Sequence, residues 1–233
     1  MKIKDDMAPY ILGNYDFTTF ASGMRVVDIG CGKGRQLQKL IARGCQAIGV
    51  EPNEERLRRC KELGLDVICA HAEQLPLPST SFDGVICKGV IPLTVEPLAF
   101  REIGRILKPG GTVQFCYLGA GFYLRLLSLG SGGWLKQRVY GLRTIINTWL
   151  FALTGWVLPG RWGDTLYQSR RRLHRYYTEN RFTLTCDTPA KTFLGLPVFI
   201  YHVVQAASSQ ARSQSPAKPA TSERAEALSR AAS

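Results

Sequence analysis

Paired cysteines, an apolar leader segment and internal repeats are all missing from this 233-residue chain. Its seven cysteines are odd in number and never spaced as Cys-x-x-Cys, which argues against a disulfide scaffold, a zinc ribbon and a thioredoxin-type redox motif. The first 17 residues contain no apolar run of the kind that forms the centre of a secretory signal. We therefore expect a reduced, cytoplasmic chain.

Acidic residues are scarce in the later part of the chain. Residues 118–206 contain 11 Lys and Arg but 3 Asp and Glu, a net charge of +8, whereas residues 1–117 contain 15 and 13. The whole chain carries +12. An excess of positive charge favours an anionic substrate or surface, and we expect that preference to belong to residues 118–206.

The end of the chain lacks the residues that form a core. Residues 207–233 have no aromatic residue and a single leucine among many Ala, Ser and Pro. Such a segment cannot bury enough apolar surface to offset its ordering entropy. It predicts a disordered tail after a folded domain of residues 1–206, and its dispersed basic residues favour a nucleic-acid-binding arm only weakly.

Short apolar segments alternate with helical patterns along the first half of the chain. The expected strands are 25–29, 46–50, 66–69, 84–87 and 112–117, and the expected helices are 35–44, 54–63 and 98–107. This rhythm indicates an α/β fold, a parallel sheet with helices on both faces. A helix over 168–178 precedes two β-rich runs, 182–186 and 198–204, which predict an antiparallel pair that completes a seven-stranded sheet. A loop with Pro189, Gly195 and Pro197 is expected between the two runs.

A glycine-rich turn follows the first strand. Asp28 is followed by Gly30, Gly32 and Gly34 in the pattern Asp-x-Gly-x-Gly-x-Gly. Glycines let the backbone pass close to a ligand and adopt positive φ, and the helix that follows has free N–H groups at its start. An acid inside the turn would repel a pyrophosphate, so the pattern suits a cationic ligand better.

Further acidic residues follow later strands. Glu51 ends the second strand, where a carboxylate can accept hydrogen bonds from both hydroxyls of a ribose. Ala72 and Glu73 come after the third strand. Each residue alone is more often structural or solvated, but their order at successive strand ends predicts a ligand crevice at the carboxyl edge of the sheet.

These motifs together resemble the class I S-adenosylmethionine-dependent methyltransferases, in particular the small-molecule branch like the methyltransferase-11 family. The matching segments are VVDIGCGKG (26–34), GVEPN (49–53), AHAEQLPLPSTSFDGVIC (70–87) and REIGRILKPGG (101–111). The resemblance covers residues 20–117 well and 182–206 loosely. It implies a Rossmann-like, mostly parallel seven-stranded sheet with a helical insertion after the fifth strand, and S-adenosylmethionine as the cofactor.

The resemblance also implies roles for single residues. Asp28, Gly30, Cys31 and Gly32 would line the methionine part of the cofactor, and Glu51 would hold the ribose hydroxyls. The adenine would lie beside Pro52, Asn53, Ala72 and Glu73, with Lys88 at the edge of the methyl-transfer site. For Lys88 a solvated lysine at a strand end is an equal alternative. No metal ion is expected.

The catalytic base is harder to assign. A base is needed only when the acceptor must lose a proton, and the Asn/Asp-Pro-Pro-aromatic tetrapeptide of nucleobase amino methyltransferases is missing. Cys31 has no neighbouring base in the sequence and is interpreted as a packed residue of the turn. His202 lies in an apolar β-rich run and is expected in the core. His174, among arginines that favour its neutral form, is the best candidate base.

Residues 118–181 form a basic, aromatic insertion that contains all four tryptophans. Its uncharged run 144–160 has 17 residues and includes Asn147, Gly155 and Pro159, so it is not expected to span a membrane. Three interpretations stay open: a helical cap with solvated arginines, a cap that also lies on an anionic membrane surface, and, less favoured, a nucleic-acid-binding surface.

The sequence therefore predicts methyl transfer from S-adenosylmethionine to a small acceptor that is hydrophobic or anionic, such as a lipid or a quinone. One alternative is an RNA methyltransferase. Another is a non-catalytic, cofactor-binding or membrane-associated interaction protein. The oligomeric state is left open.

Overall fold

Seven strands form one sheet in the order β3-β2-β1-β4-β5-β7-β6. The computed structural model describes residues 19–128, 134–154 and 168–208. The strands are β1 Arg25–Ile29, β2 Gln46–Val50, β3 Val67–Ile68, β4 Phe82–Lys88, β5 Leu107–Leu118, β6 Phe182–Phe193 and β7 Leu196–Ala206. β1 to β5 pair in parallel, and β7 is antiparallel to both β5 and β6. The predicted mostly parallel, seven-stranded sheet is confirmed.

Helices cover both faces of this sheet. They are α1 Arg35–Ala42, α2 Glu54–Glu62, α3 Glu96–Ile106, α4 Ala120–Ser128, α5 Trp134–Thr154 and α6 Arg170–Glu179, with a 3₁₀ turn at Ile91–Leu93. Successive strand residues point to opposite faces, so Val27 belongs to a core cluster that includes residues of α3 and α6. Its neighbour Val26 belongs to a second cluster that includes residues of α1, α4 and α5. Because both faces are buried, the strands read as continuous apolar runs.

Two predicted boundaries change in the structure. Residues 107–111, which the sequence leaves outside the predicted strand 112–117, belong to β5 and contain a bulge: Leu107 pairs with Phe82, and regular pairing resumes at Thr112. The expected loop between the last two strands is only two residues long, because β6 continues to Phe193 and β7 already begins at Leu196. Positive φ at Leu194 and Gly195 matches the two-residue hairpin turns that fit strand twist.

The two prolines of that hairpin are tolerated because of where they lie. Pro189 belongs to β6, the edge strand of the sheet. Pro197 belongs to β7 but precedes Phe199, where the pairing of β7 with β5 ends. Because proline has no backbone N–H, it removes a hydrogen bond of the sheet only where a neighbouring strand would accept from that position.

The helices after β5 pack against the β7 side of the sheet. A side chain at Gly119 or Gly121 would overlap the backbone carbonyls of Pro197 and Leu196, so α4 can begin against β7 only with glycine at these positions. Phe122 and Tyr123 of α4 are buried in the same cluster as Phe199. α5 then packs on α4 and buries Tyr140 in that cluster.

Parts of the predicted insertion lie outside the described residues, including Trp156 and Trp162. Its role as a cap over a site stays a prediction. Most of the predicted tail, 209–233, also lies outside them. Across the described ranges, no helix combines the length and apolar character that crossing a membrane requires.

Candidate functional site

The glycine turn is held against the end of β2. Gly30, Gly32 and Gly34 all have positive φ, at 70°, 59° and 77°. The N–H groups of Gly30 and Cys31 donate to the Val50 carbonyl, at 2.7 and 3.1 Å. A side chain at Gly30 would overlap Val90, whereas a Cβ at Gly32 would meet nothing within 4 Å. The turn therefore approaches the segment after β4 closely and leaves open space at Gly32.

Glu51 ties this turn to the start of α2. The side chain is 3% exposed, and its two oxygens accept hydrogen bonds from the N–H groups of Gly32 and Asn53, both at 3.0 Å. The Arg56 guanidinium lies 4.0 Å from Glu51 Oε2. Asn53 in turn caps α2 by accepting from the Arg56 N–H at 3.0 Å. Two backbone positions of the predicted cofactor site, Gly32 and Asn53, thus depend on one buried carboxylate.

Asp28 is buried without full hydrogen bonding. It is 2% exposed, and its Oδ2 has no hydrogen-bond partner among the described residues. Burial raises the pKa of Asp28 to about 7; nearby Lys88 opposes this rise and Glu51 adds to it. A buried carboxylate with an unsatisfied oxygen is costly. A cationic or N–H-donating ligand at this position would satisfy it.

The segment that follows β3 contains a second buried carboxylate that is only partly hydrogen-bonded within the described residues. Glu73 Oε1 accepts a hydrogen bond from the Val95 N–H at 2.9 Å, while Glu73 Oε2 is buried with no partner in the described part of the chain. Ala72 beside it is buried, and Pro52 on the neighbouring loop is exposed. Glu73 thereby joins the predicted adenine segment to the loop after β4.

Lys88 is the last residue of β4 and is half-buried. Burial lowers its pKa, and Asp28 is among the groups that oppose this shift. Lys88 and Asp28 therefore lie close enough to interact electrostatically at the carboxyl edge of neighbouring strands. The sequence predicts Lys88 either at the edge of the methyl-transfer site or as a solvated lysine at a strand end. Its position is compatible with the first role, and that role stays a prediction.

Cys31 and His174 lie in different surroundings. Cys31 is buried, and burial raises its pKa well above the usual range of a thiol, so it is not a thiolate nucleophile. His174 is exposed on α6, where its ring contacts that of Tyr177 at 6.3 Å between centroids. In the described structure, the contacts of His174 do not link it to Asp28 or Glu51. Its role as a base stays a prediction.

A buried polar cluster was not anticipated from the sequence. The hydroxyls of Tyr117 and Tyr177 are 2.9 Å apart, and the Tyr177 hydroxyl lies 2.7 Å from Nδ1 of His202. Nε2 of His202 lies 3.4 Å from Asp187 Oδ1. The expectation that His202 is a core residue agrees with its 1% exposure. Burial lowers its pKa although Asp187 opposes the shift. The members of this cluster are 15 to 85 residues apart along the chain, so no local sequence pattern predicts that they meet.

A second unanticipated cluster joins α3 to α6. Glu96 at the start of α3 is 5% exposed, and accepts hydrogen bonds from Gln168 Nε2 and Arg172 Nε, both at 2.8 Å. Arg172 is the member of the arginine triplet that turns inward, whereas Arg170 and Arg171 are exposed. Consecutive residues of a helix lie about 100° apart around its axis, so the three arginines point in different directions.

Comparison with known proteins agrees with the cofactor site predicted at the carboxyl edge of the sheet. Residues 27–115 match the family model described as a methyltransferase domain. Over 133 residues the chain is 30% identical to the ubiquinone biosynthesis O-methyltransferase of Bradyrhizobium diazoefficiens, a match that covers 49% of this chain and 52% of that protein. Residues 27–115 are therefore assigned to a methyltransferase domain, similar to those of the class I S-adenosylmethionine-dependent enzymes. It spans about half the length of the curated relatives it matches.

Solved structures support the fold of this methyltransferase family member. An S-adenosylmethionine-dependent methyltransferase from Methanosarcina mazei aligns with a TM-score of 0.59 at 18% identity, covering 82% of this chain and 95% of that one. A Burkholderia thailandensis 1,6-didemethyltoxoflavin-N1-methyltransferase with bound S-adenosylhomocysteine aligns with a TM-score of 0.55 at 13% identity, covering 80% and 72%. The predicted Rossmann-like fold is confirmed, and the match of residues 27–115 to a methyltransferase domain agrees with the predicted enzyme family and cofactor.

The residues of this methyltransferase domain fit that cofactor. Asp28 and Glu73 each offer a buried carboxylate oxygen that has no partner among the described residues, which suits the ammonium group and the adenine amino group of S-adenosylmethionine. The glycine turn brings backbone N–H groups to the same edge of the sheet. Within the described ranges, no three His, Cys, Asp or Glu side chains are grouped as metal ligands.

Proposed function

We propose that this protein binds S-adenosylmethionine at the carboxyl edge of β1, β2 and β4 and transfers its methyl group to a small hydrophobic or anionic acceptor. The observation that carries this proposal is Oδ2 of Asp28, which is buried beside the glycine turn that Glu51 holds and finds no hydrogen-bond partner within the described ranges. In a folded protein such an atom is expensive to leave without a partner. A bound sulfonium amino acid supplies both a donor and a positive charge.

Each cofactor-binding residue has a distinct part in this proposal. The Asp28 carboxylate binds the ammonium group, and Gly30, Cys31 and Gly32 border the methionine part. Glu51 accepts hydrogen bonds from the ribose hydroxyls with the lone pairs that Gly32 and Asn53 leave over. Pro52, Asn53, Ala72 and Glu73 enclose the adenine, and Lys88 lies next to the reacting methyl group.

Positioning is the main catalytic contribution in this mechanism. The bound sulfonium supplies an already activated methyl group. The crevice holds acceptor and methyl group in line, and orientation of this kind is worth about 7–11 kcal/mol of barrier when the reacting atoms are well aligned.

We propose His174 as the base for acceptors that must lose a proton. A His174→Gln variant with unchanged turnover of a phenolic acceptor at pH 7 would exclude it.

The acceptor class rests on two observations. Relatives at about 30% identity are named for ubiquinone biosynthesis, and residues 118–206 carry a net charge of +8. Both favour a small molecule with an apolar body or an anionic group. We propose that the protein acts in the cytoplasm near an anionic membrane surface, where a quinone-like or lipid-like acceptor would be met. The seven free cysteines suit a reducing compartment.

Calorimetric titration with S-adenosylmethionine tests the cofactor site. Wild-type protein should bind, and Glu51→Ala should lower the affinity at least about tenfold, because the variant loses both the ribose acceptor and the support of Gly32. Glu62→Ala, which removes an exposed carboxylate at the end of α2, is the matched control. Absence of binding by the wild type, or equal affinities for the two variants, contradicts the proposal.

Product analysis separates the remaining alternatives. Extracts incubated with the protein and methyl-labelled S-adenosylmethionine should give a labelled organic-soluble small molecule. Label in RNA would support the RNA methyltransferase alternative instead. Binding of S-adenosylmethionine without any labelled product would support the non-catalytic alternative.

A further inference from the structure

Helix α5 presents an exposed apolar stripe that the sheet does not use. The stripe consists of Val139, Leu142, Ile146, Trp149 and Leu153, which are between 44% and 78% exposed. The intervals along the chain are three, four, three and four residues, so at 3.6 residues per turn these side chains form one continuous row. This row is an apolar surface of the helix that is separate from the side buried against the protein.

The opposite side of α5 already packs against the rest of the protein. Tyr140, Thr144 and Asn147 are at most 6% exposed, and they lie about half a turn around the helix from the stripe. Thr144 also donates to the Tyr140 carbonyl at 2.9 Å within the helix. The orientation of α5 is therefore set by its buried side, and the stripe points away from the body of the protein.

Basic residues lie on both borders of the stripe, and acidic ones are missing. At about 100° per residue, Arg138 lies on one side of the row and Arg143 on the other. Residues 134–154 contain three Lys and Arg and no Asp or Glu, and residues 118–181 contain ten and two. An apolar strip between positive side chains is complementary to an anionic lipid surface, where the strip enters the acyl boundary and arginines meet headgroup phosphates.

We propose that the α5 stripe is a docking surface for anionic lipid, on which α5 lies in the plane of the membrane interface. Trp149, which is 67% exposed, enters the headgroup region that favours indole rings. The inference rests on the proposed function, because it names the surface on which a hydrophobic acceptor would be met. It is also testable without any acceptor.

A second copy of this chain fits the stripe less well. A symmetric helix pair through the five residues would bring the Arg138 and Arg143 borders of two copies together. Like charges brought together at an interface disfavour association, and α5 contains no Asp or Glu. Anionic headgroups carry the charge opposite to that of these borders.

Flotation of the full chain with vesicles tests the docking surface. Vesicles of phosphatidylcholine alone are compared with vesicles containing phosphatidylglycerol at about one lipid in four. Wild-type protein should float with the anionic vesicles and be released by high salt. Leu142→Glu combined with Trp149→Glu should lower the bound fraction at least about tenfold, because two apolar side chains leave the interface.

A matched control changes two exposed leucines away from the stripe. Leu63→Glu combined with Leu194→Glu adds the same charge at residues that are 49% and 78% exposed, and it should float like the wild type. Circular dichroism and titration with S-adenosylmethionine establish that both double variants fold and bind the cofactor. If the stripe variant binds the cofactor but floats normally, the docking surface is wrong and the proposed function stands.

The other outcomes are equally informative. Wild-type protein that floats with neither vesicle, or equally with both, overturns the inference. Sedimentation velocity that shows a wild-type dimer, dissociated only by the stripe variant, assigns the stripe to a second copy and also overturns it. Vesicle binding by a wild type that does not bind S-adenosylmethionine would support the docking surface and remove the proposed function.

Discussion

The pKa of Asp28 illustrates how a functional residue can weaken the fold that holds it. Its folded-state pKa of about 7 lies above the 3.8 of an exposed aspartate, chiefly because of burial. The native state therefore binds the proton more tightly than the unfolded state. The free energy of unfolding falls as the pH rises from about 4 to 7, by up to a few kcal/mol.

We predict that Asp28→Asn is more stable than wild type at pH 8 but binds S-adenosylmethionine more weakly. The amide removes the charge that burial disfavours, and with it the partner of the cofactor's ammonium group. Urea unfolding at pH 5 and pH 8 measures stability, and the difference between the two proteins should be clearly smaller at pH 5 than at pH 8. Asp66→Asn, at an exposed residue, should not change this pH dependence. Equal differences at both pH values would contradict the prediction.

Among the helices, α3 and α6 are joined by a buried ion pair. Nη2 of Arg172 lies 2.7 Å from Oε2 of Glu96, with side chains that are 12% and 5% exposed. Gln168 satisfies the other oxygen of Glu96. α3 starts soon after the loop that contacts Gly30 and Glu73, so this pair also fixes the helix that follows the site.

We predict that Glu96→Ala lowers the free energy of unfolding by about 3–5 kcal/mol, because it leaves the Arg172 charge buried without its partner. Glu179→Ala removes the exposed Arg175 pair, at 3.7 Å and with both side chains more than half exposed. It should cost less than about 1 kcal/mol. Urea unfolding of both variants measures the difference. Similar losses in the two proteins would mean that Glu96 is less important to the helix pair than its burial indicates.

In the whole molecule, the sheet is completed by its last strand in the sequence. β7 lies between β5 and β6 and pairs with both. The Ala207 N–H donates to the Arg181 carbonyl at 3.0 Å just after β7 ends. The folded domain thus needs the chain up to about residue 208.

We predict that a chain ending after Ser208 has the same free energy of unfolding as the full chain, within about 0.5 kcal/mol. Residues 209–233 lack the apolar side chains to contribute to a core. A chain ending after Phe193 should not fold, because β5 and β6 both lose their partner. Circular dichroism and urea unfolding measure both. A large loss on removing residues 209–233 would contradict the predicted tail.

Local patterns in the sequence were enough to predict the strand and helix order and the glycine turn. The positions of Glu51 and Glu73 at strand ends could also be derived, because parallel strands bring their carboxyl ends to one edge. The length of β6 could not, because Pro189 indicates a loop unless the strand is known to be at an edge.

Tertiary structure alone decided which polar groups meet and which apolar ones stay outside. Tyr117, Tyr177 and His202 come together from three separate elements, and no periodicity links residues so far apart. The apolar run after residue 143 was visible in the sequence. Its exposed stripe was not, because α5 is apolar on several sides. Only packing against α4 and the sheet determined which side became core and which side faces outward.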